Sequence, residues 1–149
     1  MNVKRIDKIE DSKTFRSTTT ALSEVREFVN RYAVEFGFGD KDVSEIILAV
    51  DEACTNVIKH AYKGNPDAEF LVRVLGSGME FQIVVRDWGD SFKPEEVPVP
   101  NIRDRARKHK AGGLGIYLMR RLMDTVEYRD KDKVNEVRLV RYLRNDQRS

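Results

Sequence analysis

The sequence predicts an α+β fold: a two-layer sandwich in which a mixed, mostly antiparallel sheet is covered by three helices. Three observations carry that expectation. Residues 68–75 and 79–87 alternate or run apolar on either side of Gly76-Ser77-Gly78, the pattern of a β-hairpin. Residues 20–36 and 42–62 repeat apolar side chains at helical intervals. The elements then come in the order strand, two helices, hairpin, long loop, helix and hairpin, which suits helices gathered on an antiparallel sheet.

Taken in order, residues 2–10 read as an edge strand, although their alternation is weak. Thr18, Thr19 and Thr20 offer an N-cap for a helix over 20–36, which Gly37 and Gly39 stop. Asp42 with Glu45 three residues on reads as a capping box for a second helix. That helix runs to about Tyr62, with Gly64-Asn65-Pro66 as its stop. Its broad apolar face, from Ile46 to Ala61, suits packing on a sheet. Residues 90–111 carry no period and hold three of the prolines, so they read as a long, lid-like loop. A helix over 113–123 comes next. Strands near 125–130 and 134–143 close the chain around the charged turn Asp130-Lys131-Asp132-Lys133.

Composition narrows the class. The 149 residues fit one domain, 1–149, with a modest core. An apolar fraction of 40% argues against disorder, and 35% charged residues make a polar surface. The 27 basic and 25 acidic residues nearly cancel, so nothing calls for nucleic acid or an anionic membrane as a partner. No apolar stretch approaches a membrane span, and the first residues lack the apolar core of a secretion signal. One cysteine, Cys54, permits no intrachain disulfide, and a cytoplasmic setting is expected. Cys54 falls on the apolar helix face and reads as a core thiol, and Trp88 as a packing residue near a turn. With two histidines and one cysteine, a structural zinc site is not expected.

Three short motifs carry chemistry. Glu52 and Asn56 stand four apart in Glu52-Ala53-Cys54-Thr55-Asn56, on one helix face. An amide oxygen can ligate magnesium, and a carboxylate one turn earlier can orient or deprotonate a hydroxyl that attacks a phosphate. The plain alternative is a solvated face with a stray Asn. Asp87 ends the strand Phe81–Arg86 in Asp87-Trp88-Gly89. A buried acid there needs a donor, and an adenine amine is one; a turn-capping Asp is the other reading. Gly89 lets backbone approach a flat ring. Gly112-Gly113-Leu114-Gly115 leads into a helix, where backbone N–H groups and the helix dipole favour phosphate, unless the glycines only loosen a loop. Arg103, Arg105, Lys108 and Lys110 in the preceding loop could supply cations to a triphosphate or meet an acidic partner.

The three motifs, in this order and spacing, resemble the GHKL ATPase superfamily and its N, G1 and G2 boxes. The closer similarity is to the bacterial anti-sigma-factor serine kinases. It rests on Asn56-Val57-Ile58-Lys59-His60-Ala61-Tyr62, on Asp87-Trp88-Gly89-Asp90-Ser91-Phe92 and on Gly113-Leu114-Gly115-Ile116. The resemblance implies a histidine-kinase-like ATP-binding fold over nearly the whole chain, with an ATP lid over 90–111. It implies ATP and magnesium (Mg2+) as cofactors. Glu52 would be the general base, Asn56 the metal ligand, Asp87 the acceptor for the adenine amine, and Gly89 the shaper of that pocket. Gly113, Leu114 and Gly115 would line the phosphates, with Arg105 among the lid cations that could reach them. Ser91 stands where many superfamily members carry a second G1 glycine, a departure common in the anti-sigma branch.

The function this implies is transfer of the γ-phosphoryl of ATP to a Ser or Thr of a small STAS-type anti-anti-sigma protein. A separate surface would hold a sigma factor, and a homodimer is compatible with the family. The alternative is an ATP/ADP-binding switch that holds a partner without productive phosphotransfer. A basic nucleic-acid binder built on residues 103–110 is a third reading, against which the near-neutral charge and the lack of interleaved aromatics both speak.

Overall fold

The computed structural model describes residues 5–90 and 113–144. Among them the chain runs β1 (Lys8–Arg16), α1 (Ala21–Phe36), α2 (Asp40–Asn56), a π-helical turn (Val57–Ala61), β2 (Glu69–Ser77), β3 (Glu80–Asp87), α3 (Gly113–Leu122), β4 (Thr125–Lys131) and β5 (Val134–Tyr142). The strands form one sheet in the order β1-β2-β3-β5-β4, and each of these pairings is antiparallel.

Period-two alternation decides which side of the sheet is covered. Phe70, Val72 and Val74 of β2, Phe81, Ile83 and Val85 of β3, and Val137 and Leu139 of β5 are all buried in one core. Val25, Val29, Ala33 and Phe36 of α1 recur at helical spacing and meet them, as do Ile46, Ala49, Val50 and Ala53 of α2 and Ile116 and Met119 of α3. The three helices therefore lie on one face. Phe36, Phe38 and Phe81 form an aromatic cluster with ring centroids 5.3–5.8 Å apart. Cys54 is fully buried within the same core, and burial pushes its thiol well up from the ordinary value.

The ends of the elements depart from the sequence expectation in instructive ways. The first strand occupies Lys8–Arg16, not residues 2–10, and pairs with β2 from Lys8↔Ser77 to Arg16↔Glu69. Only Ile9 and Phe15 of this edge strand are buried; its polar remainder faces solvent and masks the alternation. Thr20 is the N-cap of α1 but makes no side-chain capping bond. Gly37 ends α1 at φ 116°, donating its N–H to Ala33 O and Val34 O. The Asp42–Glu45 capping box is absent: Gly39 is the N-cap of α2, and both acids bind Arg141 instead. At its other end α2 widens into the π turn, closed by Tyr62 N–H on Val57 O at 2.9 Å and Gly64 N–H on Ile58 O at 2.8 Å. The lid expected over 90–111 falls, apart from Asp90, outside the described residues. Among the described residues no helix is long and apolar enough to cross a membrane.

Phe36 is fully buried at the centre of the aromatic cluster. Truncation by Phe36→Ala is expected to cost about 3–5 kcal/mol. That is on the order of 10 °C in unfolding midpoint for a chain of this length, measurable by calorimetry. A drop of less than about 3 °C would mean that the cluster is not central to stability.

Candidate functional site

Strand β3 turns Phe81, Ile83, Val85 and Asp87 toward the helices, so the same rule that builds the core drives a carboxylate inward. Asp87 is only 5% exposed. Its cross-strand neighbour on β5 is Asn135. Asn135 Nδ2 donates to Asp87 Oδ1 at 2.8 Å, and the Gly89 N–H donates to the same oxygen at 2.9 Å. Both of these bonds fall on Oδ1, which leaves Oδ2 with capacity for a further donor. Burial raises the Asp87 carboxyl above the ordinary aspartate value, and the two donors pull it partly back.

The turn after Asp87 is fastened to the end of the α2 region. The Ala61 carbonyl accepts from the Asp90 N–H at 2.8 Å. The Tyr62 hydroxyl accepts from the Trp88 N–H at 2.9 Å and donates to Glu69 O at 2.7 Å. Asn135 Nδ2 also reaches Gly89 O at 3.0 Å. Gly89 is required by close approach: a Cβ there would stand 2.3 Å from the Ala61 carbonyl oxygen. Trp88 is half exposed rather than packed, because the inward positions of β3 end at Asp87 and the next side chain turns outward.

Between the α2 end, the π turn and strands β3, β4 and β5 lies a cleft open to solvent. Its walls are mainly apolar, from Ala53, Val57, Val85 and Val137 with the ring of Tyr128, and Asn56, Asp87 and Asn135 bring polar groups to it. This is the composition of a site for a flat, mostly apolar group with a few directed hydrogen bonds. Asn56 Nδ2 is buried there and has no hydrogen-bond partner. An orphaned buried amide is costly unless something in the cleft completes it.

Glu52 stands one turn before Asn56 on α2, outside this cleft and against the start of α3. A Cβ on Gly115 would lie 2.6 Å from Glu52 Oε2, so the Glu52 carboxylate rests directly on the glycine where the two helices meet. Glu52 is half-buried, which raises its carboxyl; neighbouring Asp51 raises it further and Lys59 opposes. Gly113, Leu114 and Gly115 form the first turn of α3. The structure thus groups Asn56, Asp87 and Gly89 around one cleft, and joins Glu52 to the glycine turn beside it. Arg103, Arg105, Lys108, Lys110 and Gly112 lie outside the described residues.

Sequence reasoning missed Asn135 and Tyr62. A signal for Asn135 exists, since Asn is depleted in strands and this one sits in a strand of Val and Leu. Tyr62 read only as a helix end. Among the described residues no group of three or more His, Cys, Asp or Glu could hold a metal ion. A magnesium ion fits the donors present in another way. It accepts one or two protein oxygens and completes its shell with water and phosphate, and the Asn56 amide offers an oxygen beside its unpartnered nitrogen.

An Asn at position 87 would keep an oxygen for Gly89 and Asn135. Because burial raises the Asp87 carboxyl, the folded state binds its proton more tightly than the unfolded state does. The resulting stabilisation is present below the ordinary aspartate value and is lost as pH rises through the raised folded value. At neutral pH the buried carboxylate therefore opposes folding. Asp87→Asn is expected to unfold at or above the wild-type midpoint at about pH 7, with the difference closing toward about pH 4. A lower midpoint at neutral pH would mean that the two hydrogen bonds need the charge.

Comparison with known proteins adds to this geometry. The histidine kinase-like ATPase domain family matches residues 15–141. The serine-protein kinase RsbW of Bacillus pumilus is 34% identical over 128 residues, covering 82% of this chain and 78% of that protein. RsbW of Bacillus subtilis is 30% identical over 126 residues, with the same coverage of 82% and 78%. RsbW of Listeria monocytogenes is 32% identical over 115 residues, covering 74% of this chain and 73% of the relative. Two crystal structures share the fold. The RsbU and RsbW domains of Rv1364c from Mycobacterium tuberculosis superpose with a TM-score of 0.62 at 17% identity, over 91% of this chain and 32% of that longer one. The SiaB–SiaC complex from Pseudomonas aeruginosa gives 0.64 at 12% identity, over 90% and 89%.

Proposed function

We infer the function from membership: the chain belongs to the histidine kinase-like ATPase family, and its relatives include the RsbW serine-protein kinases. On that premise we propose an ATP-dependent protein serine/threonine kinase that acts as an anti-sigma regulatory factor. It phosphorylates a small STAS-type anti-anti-sigma protein and, when that partner is unavailable, sequesters a sigma factor. One observation above all supports the nucleotide part. A buried carboxylate with an oxygen to spare and an unpartnered amide meet in one apolar cleft.

In this reading Asp87 Oδ2 accepts from the exocyclic amine of adenine, and the walls from Ala53, Val57, Val85 and Val137 enclose the ring. Gly89 keeps the turn close enough to the π turn to leave that space. Magnesium and ATP, when bound, supply the transferable phosphoryl group and neutralise its charge. Asn56 would hold the metal, and Gly113, Leu114 and Gly115 would present backbone N–H groups to the phosphates. Glu52, its carboxyl raised by burial, orients the incoming hydroxyl and takes its proton as the hydroxyl oxygen bonds the γ-phosphorus and the bridging bond to the departing ADP breaks. Arg105 would approach the phosphates from the lid. Glu52 and Asn56 are both present, which favours the kinase over an ATP/ADP switch that only binds.

Magnesium-ATP at about 100 times its Kd should raise the wild-type unfolding midpoint by roughly 5–10 °C, and Asp87→Ala should abolish the shift. No shift in wild type would remove the nucleotide reading. Glu52→Gln separates kinase from switch. It should keep the shift but transfer label from γ-labelled ATP to a STAS-type partner at least about 100-fold more slowly. Equal transfer by wild type and Glu52→Gln would take the proton-accepting role from Glu52.

A further inference from the structure

One buried charge has no part in the site just described. Alternation along β5 turns Asn135, Val137, Leu139 and Arg141 inward, and Arg141 stands across from Phe81 at the far end of the core. Arg141 is 8% exposed. Its Nη2 donates to Asp42 Oδ1 at 2.6 Å and to Glu45 Oε1 at 3.0 Å, and its Nη1 donates to the carbonyl of Leu122. Asp42 and Glu45 lie at the beginning of α2, and Leu122 is the last residue of α3. One guanidinium therefore joins the N-terminal end of α2, the C-terminal end of α3 and the sheet. The charges suit the helix dipoles, with acids where α2 begins and a cation where α3 ends. The junction is doubled beside it: Asp124 donates its N–H to Val140 O at 2.8 Å and accepts from the Tyr142 N–H at 2.8 Å.

The two helices run antiparallel. They pack against each other between these ends, and at the end away from Arg141 Glu52 meets Gly115. Glu52 lies about 15 Å along α2 from Asp42, and Gly115 about 10 Å along α3 from Leu122. Helices this short are stiff, so an anchor at one end sets the gap at the other. An apolar side chain of similar size would serve stability about as well as a buried ion cluster, whereas it would not fix orientation through directed bonds. We propose that Arg141 is a positioning residue for the nucleotide site: by clamping α2 to α3 it sets the distance between Glu52 and the glycine turn, and so the fit of the phosphates. The adenine end shares Ala53 and Val137 with the clamped helix and strand, but its hydrogen-bonded frame is the turn after β3 fastened to the π turn, at the opposite limit of the sheet from Arg141. The inference rests on the nucleotide reading above.

The test compares magnesium-ATP with adenosine as probes, by thermal shift and calorimetry, on wild type, Arg141→Met, Arg141→Lys and Glu45→Gln. Wild-type binding of magnesium-ATP is the check on the nucleotide reading itself; without it both that reading and this inference fall. With it, Arg141→Met is expected to bind magnesium-ATP at least ten-fold more weakly and adenosine within two-fold of wild type. Arg141→Lys and Glu45→Gln should fall between, because each keeps part of the clamp. Unchanged magnesium-ATP affinity in these variants, with only the unfolding midpoint lowered, would overturn the proposal. Equal loss of both probes would also overturn it, as a general loosening rather than a phosphate-end defect. If Arg141→Met does not fold, Arg141→Lys and Glu45→Gln decide the matter alone, and wild-type selectivity in both would refute it.

Discussion

Strand β3 turns its odd-numbered residues toward the helices, and at its last position that rule places a carboxylate in the interior. Much of the surrounding structure answers the cost of that burial. Asn135 is brought opposite by the β3–β5 register, Gly89 turns its N–H back, and the turn is held in place by the π-turn carbonyl and the Tyr62 hydroxyl. A carboxylate left bare at this depth would be expelled or protonated. Fixed by two donors on one oxygen, it instead keeps a second oxygen for whatever fills the cleft.

The polar groups of the site are not arranged for stability. Asp87 and Glu52 both have their carboxyls raised by burial, and Asn56 keeps an amide nitrogen without a partner. These features run against folding in the empty protein and sit in one region, whereas the buried charge at the other end of the core, Arg141, is paired with Asp42 and Glu45. Concentrated frustration of this kind is the pattern expected where a ligand completes the structure. It also accounts for the mixture of residues on the inward side of β5. The middle of that strand packs with Val137 and Leu139, and its two ends carry Asn135 and Arg141 to polar tasks at opposite limits of the sheet.

Much of this was legible in the sequence. The helices, both hairpins and the sandwich emerge from strong periodicity in α1, α2, β2 and β3. Asn56, Asp87, Gly89, Gly113 and Gly115 stood out because their residue types are poor choices for plain helix or strand, and Glu52 because it stands one turn before Asn56 on the same helix face. The hidden features depend on pairing. β5 buries Val140 on the sheet side opposite the core as well as Val137 and Leu139 within it, so alternation cannot reveal which face Asn135 or Arg141 takes. Asp42 and Glu45 matched a local capping signal, but a guanidinium distant in sequence and close in space took both acids. The edge strand was misplaced because its exposed face is polar, and the π turn carries no composition cue.

That π turn has a consequence for how the chain can vary. Removing one residue from Val57–Ala61 would return the segment to ordinary helical pitch and rotate the downstream chain by about 100°. The Ala61 carbonyl would swing away from Gly89 and Asp90, and the Tyr62 hydroxyl from Trp88. The stretch from Asn56 to Tyr62 is therefore a fixed ruler, intolerant of insertion or deletion. The exposed turn beyond Gly64, 65–67, bears no such duty, so length differences between homologues should collect there.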